Sequence, residues 1–248
     1  MKNWNNILNK LRATINDNGI DSFHILEDLI PLEEQMEYFK YFDDLKDRDV
    51  HFVPDSEIEM LFSPDVTIER KKESIALLSS IPNVKAYRAI ETYQANPMEP
   101  ELKNWSSIAL LGSRISLDSD LSGKPQTYIS SGLGGHDKKL RFFALFISPT
   151  RENFTDHQKE LIEREFRFQL ESADVDIETF EIEDNYFSIL LLFPFKTDVR
   201  AILLSAILEC NQYGNFLDKK FLFTNVKVFS QEEIQKMIDN NEELDQLK

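Results

Sequence analysis

The chain has 248 residues, 42% of them hydrophobic and 29% charged, a composition that excludes collagen-like, low-complexity and wholly disordered proteins. Its 28 basic and 44 acidic residues give a net charge of −16, and a field of that sign repels the phosphate backbone of nucleic acids. We therefore predict no nucleic-acid partner and attribute the acidity to solubility.

The N-terminal residues, the single cysteine and the few histidines indicate where the protein acts and which kinds of site it lacks. Residues 1–7 lack the apolar core of a signal peptide, and no window approaches the ~20 apolar residues of a membrane helix. The single cysteine, Cys210, continues an apolar helical stripe and is predicted to be structural. The histidines are scattered singly, so no metal site is predicted. These features predict a cytoplasmic protein with no membrane partner and no cofactor.

The N-terminal half has helical periodicity. Apolar residues are spaced at three and four over 3–15 and 31–46. Pro64, Pro82 and Pro100 then recur every 18 residues, a period that fits one helix and one turn. Each proline stops the preceding helix and starts the next one.

The third copy of this period resembles a known repeat. Residues 96–110 are similar to the second half of a HEAT repeat, in which a proline-led start leads into a helix of small residues. Lys103 replaces the usual arginine, and the bulky Trp105 occupies a small position, which we expect to be buried. The resemblance covers about 62–121 and implies helical hairpins. Three proline-started helices in a small bundle would show the same spacing.

From about residue 125 the pattern changes to that of strands and buried apolar runs. The order predicted over 140–229 is β-α-β-β-α-β, the ferredoxin-like unit, with its first and third strands at the centre of the sheet. The third strand, 188–193, is apolar on both faces, whereas the second carries acidic residues typical of an edge. A capping box at Thr155 opens its first helix, and a last helix follows Ser230. The predicted strand 126–131 either adds to an edge of this sheet or shows that the sheet has more than four strands.

The predicted fold class is therefore α+β, with an all-α HEAT-like domain at 1–121 and a ferredoxin-like domain with a C-terminal helix at 122–248. Two helices leave one face of the sheet bare, and an apolar face of this kind needs a cover. The candidates are the helical half, the C-terminal helix 230–240 and a second copy of the chain. We favour the helical half, because the link near Gly123 is short.

A glycine-rich segment holds the candidate binding residues. Flexible backbone N–H groups with two lysines and a histidine could cradle an anion, whereas the alternative is that glycine only supplies the positive φ of a tight connection. No catalytic residue is predicted. The candidate ligand-binding residues are Gly132, Gly134, Gly135, His136, Lys138 and Lys139.

These observations predict a non-catalytic protein-binding or regulatory module whose helical half presents a surface to a protein partner, as a monomer or a homodimer. The alternative is a small-molecule-binding protein or enzyme with a groove near Gly132–Lys139. The predicted ferredoxin-like domain contains the stretch Asn211-Gln212-Tyr213-Gly214-Asn215. In this the chain resembles uncharacterised bacterial proteins that join a short helical-repeat segment to an α+β domain ending in such a stretch, a resemblance that implies no activity.

Overall fold

The computed structural model describes residues 23–48, 50–124, 126–129, 131–194 and 197–240. These fall into two compact units, one within Ile15–Gly132 and the other containing Leu133–Lys248. The α+β class is confirmed, with N-terminal helices followed by an antiparallel sheet and a C-terminal helix. The units divide eleven residues beyond the predicted boundary at 121/122, whose position stays a prediction. The helix predicted at 3–15 lies outside the described residues.

The first unit is built from helices, among them two with a side-chain cap at the N-terminus. Its α-helices are α1 (Leu32–Asp47), α2 (Pro54–Phe62), α3 (Ile68–Ser79), α4 (Val84–Ala95) and α5 (Lys103–Ser122), the last preceded by a 3-10 turn, Pro100–Leu102. Thr67 and Asn83 cap α3 and α4 by accepting a hydrogen bond from a backbone N–H three residues on. The helices α3, α4 and α5 begin shortly after the three prolines, as the 18-residue period predicted.

The core of this unit joins all of these helices. Trp105 is 6% exposed, which confirms its predicted position on the buried face of α5. It packs among buried aliphatic and aromatic side chains that include Tyr38, Leu61, Ile75, Leu78, Ile90 and Tyr93. Tyr87, the equivalent aromatic residue of α4, is only half-buried, so the two copies of the pattern do not bury the same position.

A small parallel sheet belongs to the same unit. The strand β1 (Phe23–Ile25) pairs with β2 (Thr127–Ile129), in a register that places His24 opposite Tyr128. The predicted strand 126–131 is therefore not an edge addition to the larger sheet. Its partner lies about a hundred residues upstream, in a three-residue strand too short to give a pattern of its own.

The second unit contains the predicted ferredoxin-like sheet. Its strands are β3 (Gly135–His136), β4 (Lys139–Ile147), β5 (Asp176–Ile182), β6 (Tyr186–Pro194) and β7 (Leu222–Thr224). Within the described chain, the antiparallel order is β7-β4-β6-β5, and β3 pairs with β4 beside β7. The first and third strands of the motif, β4 and β6, are thus central, and the acidic β5 is at an edge. The sequence predicted these positions from the handedness of the crossovers. The apolar run of β6 and the acidic residues of β5 agreed with them.

Helices α6 (Asp156–Glu171) and α7 (Val199–Asn211) cover one face of this sheet. The predicted capping box of α6 is present, with Thr155 and Gln158 exchanging side-chain and backbone hydrogen bonds. On this face the Phe146 and Phe187 rings stack with centroids 4.5 Å apart, and Phe166 of α6 lies edge-on to both. Such contacts add to the free energy gained by burial.

The opposite face is covered by the C-terminal helix α8 (Gln231–Asp239). Its buried side chains, Ile234, Met237 and Ile238, form a cluster with residues of β4, β6 and β7: Phe143, Leu145, Ile147, Tyr186, Leu190 and Leu222. The C-terminal helix, one of the three predicted candidates, therefore covers this face. The favoured cover, the helical half, stays a prediction. A nine-residue amphipathic helix suffices because its three apolar side chains all point to the same side.

Candidate functional site

The glycine-rich segment that the sequence singled out forms a β-hairpin. Its turn residues, Asp137 and Lys138, have φ of 47° and 62° between the paired strands β3 and β4. Positive φ at both central residues is typical of a type I′ turn, whose twist matches that of the flanking strands. Gly134 also has a positive φ, 60°, and Gly132 is buried just before it. At Gly134, therefore, the backbone conformation favours glycine.

Neighbouring carboxylates hold the side chains of this hairpin. Lys139 Nζ lies 3.1 Å from Asp174 Oδ1 and 2.9 Å from Asp176 Oδ2. Burial lowers the pKa of Lys139, but these hydrogen bonds outweigh it, so the pKa is raised overall. His136 Nε2 lies 3.3 Å from the carboxylate of Asp137. The hairpin pairs His136 with Lys139 and Gly135 with Leu140, but the Lys139 ammonium is bound to two aspartates. An anion site here stays a prediction.

Replacing Gly134 with valine is expected to lower the free energy of unfolding by about 1–3 kcal/mol, because a β-branched residue is strained at positive φ. Chemical denaturation measures the loss. The control is Gly112→Ala inside α5, where an added Cβ meets nothing within 4 Å; this change should instead stabilise by about 0.5–1 kcal/mol. Equal effects of the two substitutions would contradict the backbone argument.

A second place, which the sequence did not single out, has the shape of a binding site. A cavity of about 380 Å³ opens in the helical unit, within the size range of small-molecule sites. Helix α1 supplies two glutamates, α3 supplies a lysine, and the 3-10 turn and α5 supply the rest. The lining residues are Glu34, Glu37, Lys72, Pro100, Glu101, Lys103, Asn104, Trp105 and Ile108.

The ring of Trp105 lines this cavity, which we call the Trp105 pocket. The rings of Tyr38 and Tyr41 lie edge-on to Trp105, with centroids 5.0 and 5.5 Å away. The Trp105 indole N–H donates to the carbonyl of Lys72 at 3.2 Å, which fixes the ring. Lys72 Nζ lies over the same ring, 4.6 Å from its centroid, and 3.0 Å from Glu37 Oε1. The pocket thus already contains a cation–π contact.

The charges of the lining are mixed, with an excess of one carboxylate. Three glutamates face two lysines. Lys103 Nζ donates to the backbone carbonyl of Gln94 at 2.8 Å, so this ammonium is held at the rim. Asn104 donates to Glu34 at 2.9 Å. The carboxylate of Glu101 makes no ion pair with any residue of the described ranges. The pocket therefore offers negative charge beside an aromatic ring.

A buried polar network supports the wall behind the pocket. Lys71, next to Lys72 on α3, is completely buried, and its Nζ lies 2.6 Å from Glu99 Oε1. The Tyr93 hydroxyl donates to the other oxygen of Glu99. Burial raises the pKa of Glu99, but hydrogen bonds from Lys71 and Tyr93 outweigh it and lower the pKa overall. Burial and Glu99 both raise the pKa of Tyr93. The network fixes the residue that precedes Pro100 in the pocket wall.

Several other kinds of site receive no support from the described parts of the chain. No helix there is long and apolar enough to cross a membrane, and no group of histidine, cysteine and carboxylate side chains could hold a metal. Burial raises the pKa of Cys210 to about 12, so its thiol is protonated at neutral pH and cannot serve as a nucleophile. This agrees with the predicted structural role of Cys210.

The sequence missed the Trp105 pocket because its charged residues lie in runs that usually face solvent. Lys71 and Lys72 are adjacent in a basic run, yet a helix turns by about 100° per residue, so one is buried and the other reaches the pocket. The one usable signal was Trp105, a large aromatic residue at a position where a HEAT repeat has a small one.

Comparisons with known proteins give only weak structural likenesses. No protein-family model and no curated protein matches the chain. It is similar to the crystal structure of a proposed transposase from Deinococcus radiodurans, with 15% identity and a TM-score of 0.37, over 43% of this chain and 93% of that one. It is also similar to a REP-associated tyrosine transposase bound to a REP hairpin, with 9% identity and a TM-score of 0.32, over 41% of this chain and 63% of that one.

These likenesses correct two predictions from the sequence. The predictions of a non-catalytic protein-binding module and of no nucleic-acid partner are contradicted by these neighbours. One is described as a proposed transposase and the other as a transposase bound to a REP hairpin. Neither prediction is carried forward. At TM-scores below 0.5 the likeness assigns no activity to this chain either, so the functional argument below rests on its own residues.

Proposed function

We propose that the helical unit binds a small organic cation, an alkylammonium or a guanidinium group, in the Trp105 pocket. The observation that carries this proposal is the ammonium of Lys72 above the Trp105 ring, in a cavity with an excess of carboxylate. A protein's own ammonium at 4.6 Å from an indole centroid marks a position where a cation is attracted to the ring face.

The chemistry of the lining favours a cation over other ligands. A cation over an indole gains about 0.5–2 kcal/mol, the larger value when water is excluded, and carboxylates add Coulomb attraction of the same sign. An anion would meet Glu34, Glu37 and Glu101. A neutral apolar ligand would gain nothing from the carboxylate of Glu101, which makes no ion pair with the described residues. The ring face and the negative charge therefore select for a positively charged group with an apolar surface.

Tryptophan fluorescence tests this proposal. Trp4 and Trp105 are the two tryptophans, so the Trp4→Phe variant reports on Trp105 alone. We expect choline to change its emission in a saturable way, and the uncharged isostere 3,3-dimethylbutanol to have no such effect. Glu101→Gln, which removes an exposed carboxylate of the lining, should weaken choline binding. Equal responses to choline and to its isostere, or no response to either, would contradict the proposal.

Two further proposals concern the fold of the helical unit and the location of the protein. We propose that the helices of 62–121 pack as HEAT-like hairpins, which is supported by helix starts after Pro64, Pro82 and Pro100 and by the close packing of α4 on α5. We also propose that the protein acts in the cytoplasm, where its one cysteine stays reduced.

A further inference from the structure

Lys72 occupies the part of the pocket that a cationic ligand would use. Its Nζ is 4.6 Å from the Trp105 ring centroid, and its side chain is one quarter exposed. Its partner, Glu37, is 61% exposed, so the ion pair lies at the mouth of the pocket and not in the core. Exposed ion pairs of this kind contribute little to stability. The lysine can therefore leave the ring without disturbing the fold.

The helix that carries Lys72 does not share this freedom. Its neighbour Lys71 is completely buried against Glu99, and the backbone carbonyl of Lys72 accepts the hydrogen bond from the Trp105 indole. The backbone at this point is thus held on both sides, and only the side chain of Lys72 can move. Movement of that side chain from the ring towards solvent would expose the ring face.

We propose that Lys72 is an internal competitor of the ligand, an ammonium that closes the Trp105 pocket until an external cation displaces it. This inference rests on the proposed cation-binding function and adds its regulation. Ligand and lysine compete for the same ring face, so the measured affinity is the ligand's own affinity reduced by the fraction of molecules in which Lys72 occupies the ring. Removal of the lysine charge should open the site.

The matched variants are Lys72→Met and Lys103→Met, both in the Trp4→Phe background. Each removes one positive charge from the pocket lining, but Lys103 Nζ is bonded to the carbonyl of Gln94 and Lys72 Nζ lies on the ring. We expect Lys72→Met to tighten choline binding by about three- to tenfold, and Lys103→Met by less than about twofold, since exposed charges are screened. Lys72→Arg keeps a cation on the ring and should bind choline no better than the parent protein.

The emission of Trp105 without ligand gives an independent measurement. It should shift in Lys72→Met, because the ammonium leaves the ring, and stay unchanged in Lys103→Met. An equal gain in choline affinity in the two methionine variants would mean that only the net charge of the lining matters. That result would overturn the proposal that Lys72 competes with the ligand for the ring. Unchanged affinity in Lys72→Met, with choline bound by the parent protein, overturns this inference and leaves the proposed function standing. Absence of choline binding in every variant overturns the proposed function itself.

Discussion

Replacing Glu99 with glutamine is expected to lower the free energy of unfolding at pH 7 by about 3–5 kcal/mol, because it leaves a buried ammonium without its counter-charge. Lys71 is completely buried, with its Nζ 2.6 Å from the Glu99 carboxylate. The amide that replaces the carboxylate can still accept the hydrogen bond from Tyr93, so the loss comes mainly from the missing charge. Urea denaturation at pH 7 measures it.

The effect of Glu99→Gln should depend on pH. Burial raises the pKa of Glu99, but the hydrogen bonds from Lys71 and Tyr93 bring it below the ordinary value of 4.5. A carboxyl whose pKa is lower in the folded state stabilises the protein above its unfolded pKa, and this contribution is lost as the pH falls through the folded pKa. The stability gap between the wild type and the variant should thus be full at pH 7 and shrink below about pH 4.5.

Glu101→Gln is the matched control, since it makes the same change two residues further on at an exposed position. Its effect on the free energy of unfolding should stay within about 0.5 kcal/mol at every pH. A loss below about 1 kcal/mol in Glu99→Gln at pH 7, or a gap that does not narrow in acid, would mean that the buried pair does not hold the helices together.

Strand composition predicted the second unit well, because burial on two faces and exposure at an edge leave different residues in the chain. The run 188–193 and the acidic residues of β5 were enough to order the sheet. The place of β2 could not be predicted, because its partner at 23–25 is three residues long and about a hundred residues away. Pairing over such a distance leaves no local signal.

Charged residues were harder to place than apolar ones. Short charge runs such as those that contain Glu34 and Lys72 usually lie on solvated helix faces. In this chain Lys71 is buried and Lys72 covers an indole, and both depend on Glu99 and Trp105, about 30 residues away. A single sequence shows that these residues exist but not that the helices bring them together.

The second large effect on stability is expected at α8, the helix that covers the sheet. Replacing Ile234 with aspartate should lower the free energy of unfolding of the sheet unit by about 3–5 kcal/mol, because an apolar contact is lost and a carboxylate would be buried without a partner. Ile234 is 2% exposed, within the cluster that α8 forms on the sheet. Gln235→Asp is the control, since it puts the same side chain on the exposed side of α8 and should cost no more than about 0.5 kcal/mol.

The way in which Ile234→Asp acts can also be measured. Burial of the three apolar side chains of α8 is worth roughly 1.5–3 kcal/mol each, and the ordering of a nine-residue helix offsets part of this gain. Release of α8 is therefore the cheaper response to a buried carboxylate than unfolding of the sheet. It would expose Phe143, Leu145 and Leu190, an apolar patch that binds hydrophobic dyes and associates at high concentration. A variant that is destabilised but binds no more dye than the Gln235→Asp control would mean that something other than α8 covers this face.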